Sequence, residues 1–266
     1  MESATFFKEI ADRVSEVRGK IDDAAKRSGR TGSDVLTVAV TKYSEPNDGE
    51  IEGILRAGVF DLGENRAQRF LNKTALWNES QFWQTDASQT FLPQNERNAI
   101  NEQTLRWHFI GPLQRNKVRR ILPFVSLIHS VDSWKLLGTI ERILEEEAQN
   151  AAARKDVSVL LEVRISDDET KHGFTHSELL DVLPMAAELK RVKIRGLMGM
   201  AGLTATQSEA RRQFASLRDT LERCRERLPE LSEMTELSMG MSGDFEIAVE
   251  EGATIVRLGS ILYPDK

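Results

Sequence analysis

Eight short runs rich in β-branched and other apolar residues recur along the chain, and between them lie stretches whose apolar residues return every three or four positions. Strands separated by whole helices pair in parallel, because an antiparallel partner needs only a tight turn while a parallel one needs a long crossover. The runs are LTVAVTK (36–42), VFDLGEN (59–65), RWHFIG (106–111), LIHSV (127–131), SVLLEVR (158–164), KIRGLMGM (193–200), ELSMGM (236–241) and TIVRLGS (254–260). Helices are predicted between them over 48–57, 67–77, 116–122, 133–152, 177–189, 207–228 and 244–250. Eight such units within 266 residues favour an α/β fold of the single (β/α)8 TIM-barrel type over an open doubly wound sheet. Only six residues follow the eighth run, too few for a closing helix. An extra helix is instead predicted at 6–27, where Phe6, Ile10, Val14, Val17, Ile21 and Ala24 share one face, and it is expected to complete the outer ring. The whole chain, 1–266, is expected to form one domain, with the polar, aperiodic stretch 78–105 inserted as a surface loop.

Composition narrows the class further. The 36 Lys+Arg against 42 Asp+Glu give a formal charge of −6, which offers no electrostatic attraction to nucleic acid or an anionic membrane. Cys224 is the only cysteine, so neither an internal disulfide nor a zinc site built on several thiolates is available. There is no signal-peptide pattern at the start and no apolar run of spanning length, and a cytoplasmic location is expected.

In a TIM barrel the chemistry sits at the C-terminal ends of the strands, and those ends are polar here. The first run ends at Lys42, the second at Gly63-Glu64-Asn65, the third at Gly111, the fifth at Arg164, the seventh at Ser242-Gly243-Asp244 and the eighth at Arg257-Leu258-Gly259-Ser260. After the seventh and eighth strands this fold commonly grips a phosphate. Gly259 lets the backbone approach an anion, Ser260 offers an amide and a hydroxyl, and Ser242 stands where a short helix begins. The bland reading is a cap at Ser242 and a turn at Gly259. Lys42 shares its phase with Leu36, Val38 and Val40, so an inward face places its amine over the barrel mouth, where a desolvated amine condenses with a carbonyl compound. A solvated lysine just past a strand fits the residue equally. Arg257 shares its phase with Gly259, and beside a pyridine ring it would oppose protonation of the ring nitrogen. A structural ion pair with Glu64 or Glu162 is the alternative.

Other candidates carry less. His172 and His176 are four apart, but Gly173 interrupts the helix a metal pair requires, and Thr175 or His176 reads better as a helix start. Met198, Met200, Met239 and Met241 recur at period two, as expected for barrel filling. Glu145, Glu146 and Glu147 read as a solvated helix face, and Cys224 as a buried, inert thiol.

Seven motifs occur together and in order: Thr41-Lys42 after an apolar strand, GENR (63–66), WHFIGPLQRNK (107–117), KHGF (171–174), IRGLMGM (194–200), SMGMSGDF (238–245) and VRLGS (256–260). With them the chain resembles the YggS/PROSC family of pyridoxal 5′-phosphate (PLP) homeostasis proteins over about residues 36–263. The resemblance implies a PLP-binding barrel similar to the N-terminal domain of alanine racemase. It implies Lys42 as the Schiff-base lysine, Asn65 near the cofactor's 3-oxygen, Arg257 at the pyridine nitrogen, and Ser242, Gly259 and Ser260 at the phosphate. Two departures accompany it: Pro112 stands where the family has histidine, and 78–105 is longer than usual. The expected function is a non-catalytic carrier, a monomer that holds PLP and delivers it to apo-enzymes, with no catalytic or metal-binding residue, no nucleic acid and no membrane as partner. A PLP-dependent amino-acid racemase is the alternative, and a phosphosugar-binding barrel is a third reading.

Overall fold

The computed structural model describes residues 2–45, 49–79, 104–148, 156–166 and 172–264. Eight parallel strands close into a barrel in sequence order: β1 (Leu36–Val40), β2 (Asp61–Glu64), β3 (Arg106–Phe109), β4 (Leu127–Val131), β5 (Val157–Glu162), β6 (Val192–Met198), β7 (Glu236–Ser238) and β8 (Ile255–Leu258). The seam is the β1–β8 pairing, which sets Leu36 beside Ile255 and Val38 beside Arg257. The helices are α1 (Glu2–Arg27), α2 (Glu50–Arg56), α3 (Ala67–Glu79), α4 (Val118–Ile121), α5 (Trp134–Glu147), α6 (His176–Ala187), α7 (Gln207–Arg227) and α8 (Phe245–Glu250).

Side-chain phase divides the core in two. Val38, Leu127, Leu160, Met198 and Ile255 form a cluster inside the barrel, with Leu36 and Met200 packed against it. Residues of the opposite phase, among them Ala39, Leu62, Phe109, Ile128, Val159, Leu197 and Leu258, join the larger core under the helices. Between α8 and α2, α1 covers the outside of the ring. Its buried stripe Ile10, Val14, Val17, Ile21 and Ala24 faces the core, Arg27 pairs with Glu250 of α8 at 2.6 Å, and Arg18 donates to the Gly58 carbonyl at 2.7 Å. Arg30 ties the following turn to Val249 and Ala253 through their carbonyl oxygens, at 2.6 and 3.0 Å.

Local chemistry starts the helices where expected. Ser133 caps α5, and Thr175 and Thr206 open α6 and α7 as capping boxes closed by Glu178 and Glu209. Thr175 thus stands at the helix start expected at Thr175 or His176. Glu141 on α5 is buried, and its carboxylate accepts the backbone N–H groups of Lys190, Arg191 and Val192 at 2.8–3.1 Å. It serves as a plug at the entry to β6. The predicted loop over 78–105 falls mostly on 80–103, outside the described residues, as does the end of the helix predicted to 152. Met239 is buried in the outer core and Met241 is half-buried, so only Met198 and Met200 of the four methionines line the barrel interior.

Candidate functional site

The β1 and β2 ends are set by an ion pair that lies outside the barrel. Glu64 points outward, fully buried, and receives Lys73 of α3 at 2.6 Å. The same ammonium donates to the Thr41 carbonyl at 2.5 Å, while the other carboxylate oxygen accepts the Asn65 and Arg66 N–H groups at 2.8 and 3.2 Å. Lys73 thus fastens together the segments that carry Lys42 and Asn65. Glu64 is not the partner of Arg257, because the two lie on opposite sides of the sheet. The Lys42 carbonyl accepts from Arg69, its side chain is half-buried, and its amine lies 4.8 Å from the centroid of the Tyr43 ring. β3 leaves the barrel beside this corner. A Cβ at Gly111 would lie 2.2 Å from the Asn65 carbonyl oxygen, so glycine alone permits that approach.

Across the mouth, Gly240 turns the chain after β7 with φ +91. Asp244, not Ser242, stands at the N-cap of α8, and its carboxylate accepts the Met241 N–H at 2.6 Å. The Ser242 hydroxyl instead accepts the Gly259 N–H at 3.2 Å. This bond clasps the ends of β7 and β8 together. Gly243 has open space where a side chain would stand, and Gly243 and Ser260 are exposed.

Arg257 lies between these two sides, inside the barrel and 4% exposed. Nη1 donates to the Ser238 carbonyl at 2.7 Å and to its hydroxyl at 2.6 Å, and Nη2 donates to the Gly199 carbonyl at 3.2 Å. A guanidinium has five N–H donors, so Nε and one proton on Nη2 remain without a partner among the described residues. Burial pushes its pKa down to about 10, against the opposing charges of Glu162 and Asp244. It stays cationic at neutral pH.

Below Arg257 runs a set of polar residues that strand patterning leaves unremarked: Asp61, His108, His129 and Ser238, all buried and all in the inward phase. Asp61 accepts Arg106 through both oxygens at 2.8 and 2.6 Å and contacts His108 Nε2 at 2.9 Å. His108 Nδ1 meets His129 Nε2 at 2.9 Å, and His129 Nδ1 meets the Ser238 hydroxyl at 2.8 Å. Burial alone would raise the Asp61 carboxyl, but Arg106 and the His108 hydrogen bond outweigh it and hold the group well below the usual carboxylate range. Burial pushes His129 well below the ordinary imidazole value, and the charge of His108 when protonated and that of Arg257 act in the same direction. The legible signal was a polar residue at an inward strand position, which has to be paired to be buried.

The set fits a phosphorylated pyridine aldehyde. Oδ1 of Asn65 is buried without a partner among the described residues, and a side-chain amide turns to offer either end to a ring oxygen. A Cβ at Gly243, beside the Ser242–Gly259 clasp, would meet open space, and Arg257 retains two N–H donors among the described residues. Among the described residues no group of His, Cys, Asp and Glu side chains is arranged to hold a metal ion, and no helix is long and apolar enough to cross a membrane. Cys224 is buried, which raises its thiol to about 11, consistent with an inert role.

A closed parallel barrel with Lys42, Arg257 and the Ser242–Gly259 clasp at its C-terminal mouth is of the class of the alanine racemase N-terminal domain, whose family profile matches residues 53–266. The fold is also that of alanine racemase from Corynebacterium glutamicum, at TM-score 0.61 and 13% identity over 97% of this chain and 60% of that one. Within this class the chain belongs to the pyridoxal phosphate homeostasis protein family. It is 33% identical to the pyridoxal phosphate homeostasis protein of Aquifex aeolicus over 96% of this chain and 97% of the relative. PipY of Synechococcus elongatus, solved with PLP bound, superposes at TM-score 0.73 with 31% identity, covering 96% of this chain and all of PipY.

Proposed function

We propose that the chain, as one domain over 1–266, binds PLP at the C-terminal mouth of the barrel and serves PLP homeostasis in the cytoplasm as a monomeric carrier that passes the cofactor to apo-enzymes. Bound PLP supplies an electrophilic aldehyde on an electron-withdrawing ring. Lys42 would hold the aldehyde carbon, Asn65 would stand near the 3-oxygen, Arg257 would donate to the ring nitrogen, and Ser242, Gly259 and Ser260 would hold the phosphate. The observation that carries this reading is Arg257. It is an inward, cationic guanidinium with donors left over, which keeps the ring nitrogen unprotonated and so weakens the electron sink that turnover needs. The names of the relatives support homeostasis over catalysis.

The test incubates PLP-loaded protein with an apo PLP-dependent enzyme beside free PLP, with and without a scavenger of free PLP, and screens amino acids for turnover. Reactivation that survives the scavenger, without racemisation or transamination, is the expected result. Efficient racemisation that is lost in Lys42→Ala would replace the carrier with a racemase.

A further inference from the structure

We propose that Asp61, His108, His129 and Ser238 form a proton-ordered chain through the barrel interior, and that these four are positioning residues that orient Arg257 toward the ring nitrogen of bound PLP. The orientation role rests on the PLP-binding reading above, whereas the order of the protons belongs to the protein alone.

The order follows from counting donors. Asp61 is an ionised acceptor bound by Arg106, so the proton between it and His108 sits on His108 Nε2. If His108 is neutral, its Nδ1 is an acceptor and His129 must donate from Nε2. The Nδ1 atom of His129 is then an acceptor, and the only hydrogen left for that contact is the hydroxyl proton of Ser238. The Ser238 oxygen in turn accepts from Arg257. Every proton lies on the Arg257 side of its bond at each step toward Asp61, and no donor or acceptor in the chain is wasted. A protonated His108 would reverse His129. Both His129 and Arg257 would then donate into the Ser238 oxygen, its own proton would have no acceptor among the described residues, and a second buried cation would be added. Buried networks tolerate neither. Arg257 also feels the carboxylates Glu162 of β5 and Asp244 at α8, while the hydrogen bonds it donates go to Ser238 and Gly199. Its direction is set by Ser238 and Gly199.

The same logic specifies which replacements keep the chain. Gln at 129 offers one donor and one acceptor, as a neutral imidazole does, whereas Leu offers neither. The decisive measurements are side-chain 15N NMR of the PLP-free protein and the pH titration of the visible band of the PLP-loaded protein. We expect two histidines to stay neutral from about pH 5.5 to 8, both protonated at Nε2, and one of these signals to vanish in His129→Gln. His129→Leu and Ser238→Ala should each move the spectral titration by about one pH unit or more, with His129→Gln staying near wild type. A buried imidazolium in the PLP-free protein, or spectral titrations of the folded Leu and Ala variants that match wild type, would overturn the proposal. Should His129→Leu not fold, Ser238→Ala and the wild-type NMR decide. Failure of the wild-type protein to take up PLP would instead defeat the PLP reading and the orientation role with it, leaving the NMR to judge the proton order by itself.

Discussion

Lys42 and Arg257 are expected to fail in different ways when changed. Lys42 lies in the turn after β1, half-buried and outside both apolar clusters. Lys42→Ala should therefore abolish the covalent PLP adduct while shifting stability by no more than about 0.5 kcal/mol. Borohydride reduction followed by peptide mass mapping checks this, and an adduct on another lysine such as Lys171 would refute the assignment. Arg257 is inside the barrel and donates three hydrogen bonds. Arg257→Glu should raise the affinity of the bound ring for a proton and displace the spectral pH titration by about one unit or more. A folded variant with an unchanged titration would place Arg257 away from the ring. The positions of Lys42 and Arg257 were legible in the sequence, because period-two phase puts Lys42 in line with Leu36, Val38 and Val40 at the end of β1 and Arg257 in line with Gly259 on β8. The clasp between Ser242 and Gly259 was not, since the local pattern fits a helix cap at Ser242, and only the loop after β7 shows that Asp244 takes that place.

At the level of elements, the corner formed by β1, β2 and α3 depends on one buried pair. Lys73→Met keeps the volume but leaves Glu64 ionised without its counter-charge, and breaking a buried pair on one side costs about 3–5 kcal/mol. Urea unfolding should show that loss, and because the same lysine fastens Thr41, PLP uptake should slow even where the variant remains folded. A loss below about 1 kcal/mol would mean that water reaches Glu64. The strands and helices themselves could be read from hydrophobic period, often to within two residues, and so could the apolar stripe with which α1 joins the ring. What period could not supply is pairing across elements. Lys73 lies on a helix, nine positions after Glu64, and nothing in either segment alone says that they meet. Likewise, Glu141 reads as one more acid on an amphipathic helix until the turn before β6 is folded onto it.

For the molecule as a whole, the buried chain predicts how stability follows pH. The folded state keeps His129 neutral where an unfolded histidine takes up a proton, so stability is complete above the unfolded value and falls as pH drops below about 6.5, by up to about 1.4 kcal/mol per pH unit for one proton. Asp61 adds a second loss. Its folded pKa is depressed, so its contribution is intact above the unfolded carboxylate value and drains away only below about pH 4. Denaturant midpoints measured from pH 8 to 4 should show a steeper first decline in wild type than in His129→Gln, which keeps only His108 of the buried pair. An equal decline in both would assign that proton elsewhere.

The seam between β1 and β8 has a consequence during synthesis. Arg27 and Glu250 are 223 positions apart, and α1 and β1 leave the ribosome long before the segments that cover them. At about 5–20 residues per second, that interval is roughly ten to forty-five seconds. For that time the stripe of Ile10, Val14, Val17 and Ile21 lacks its α8 neighbour and β1 presents an unpaired edge. Until β8 emerges the nascent barrel is an open sheet with an unpaired β1 margin, the kind of edge that pairs readily with other chains.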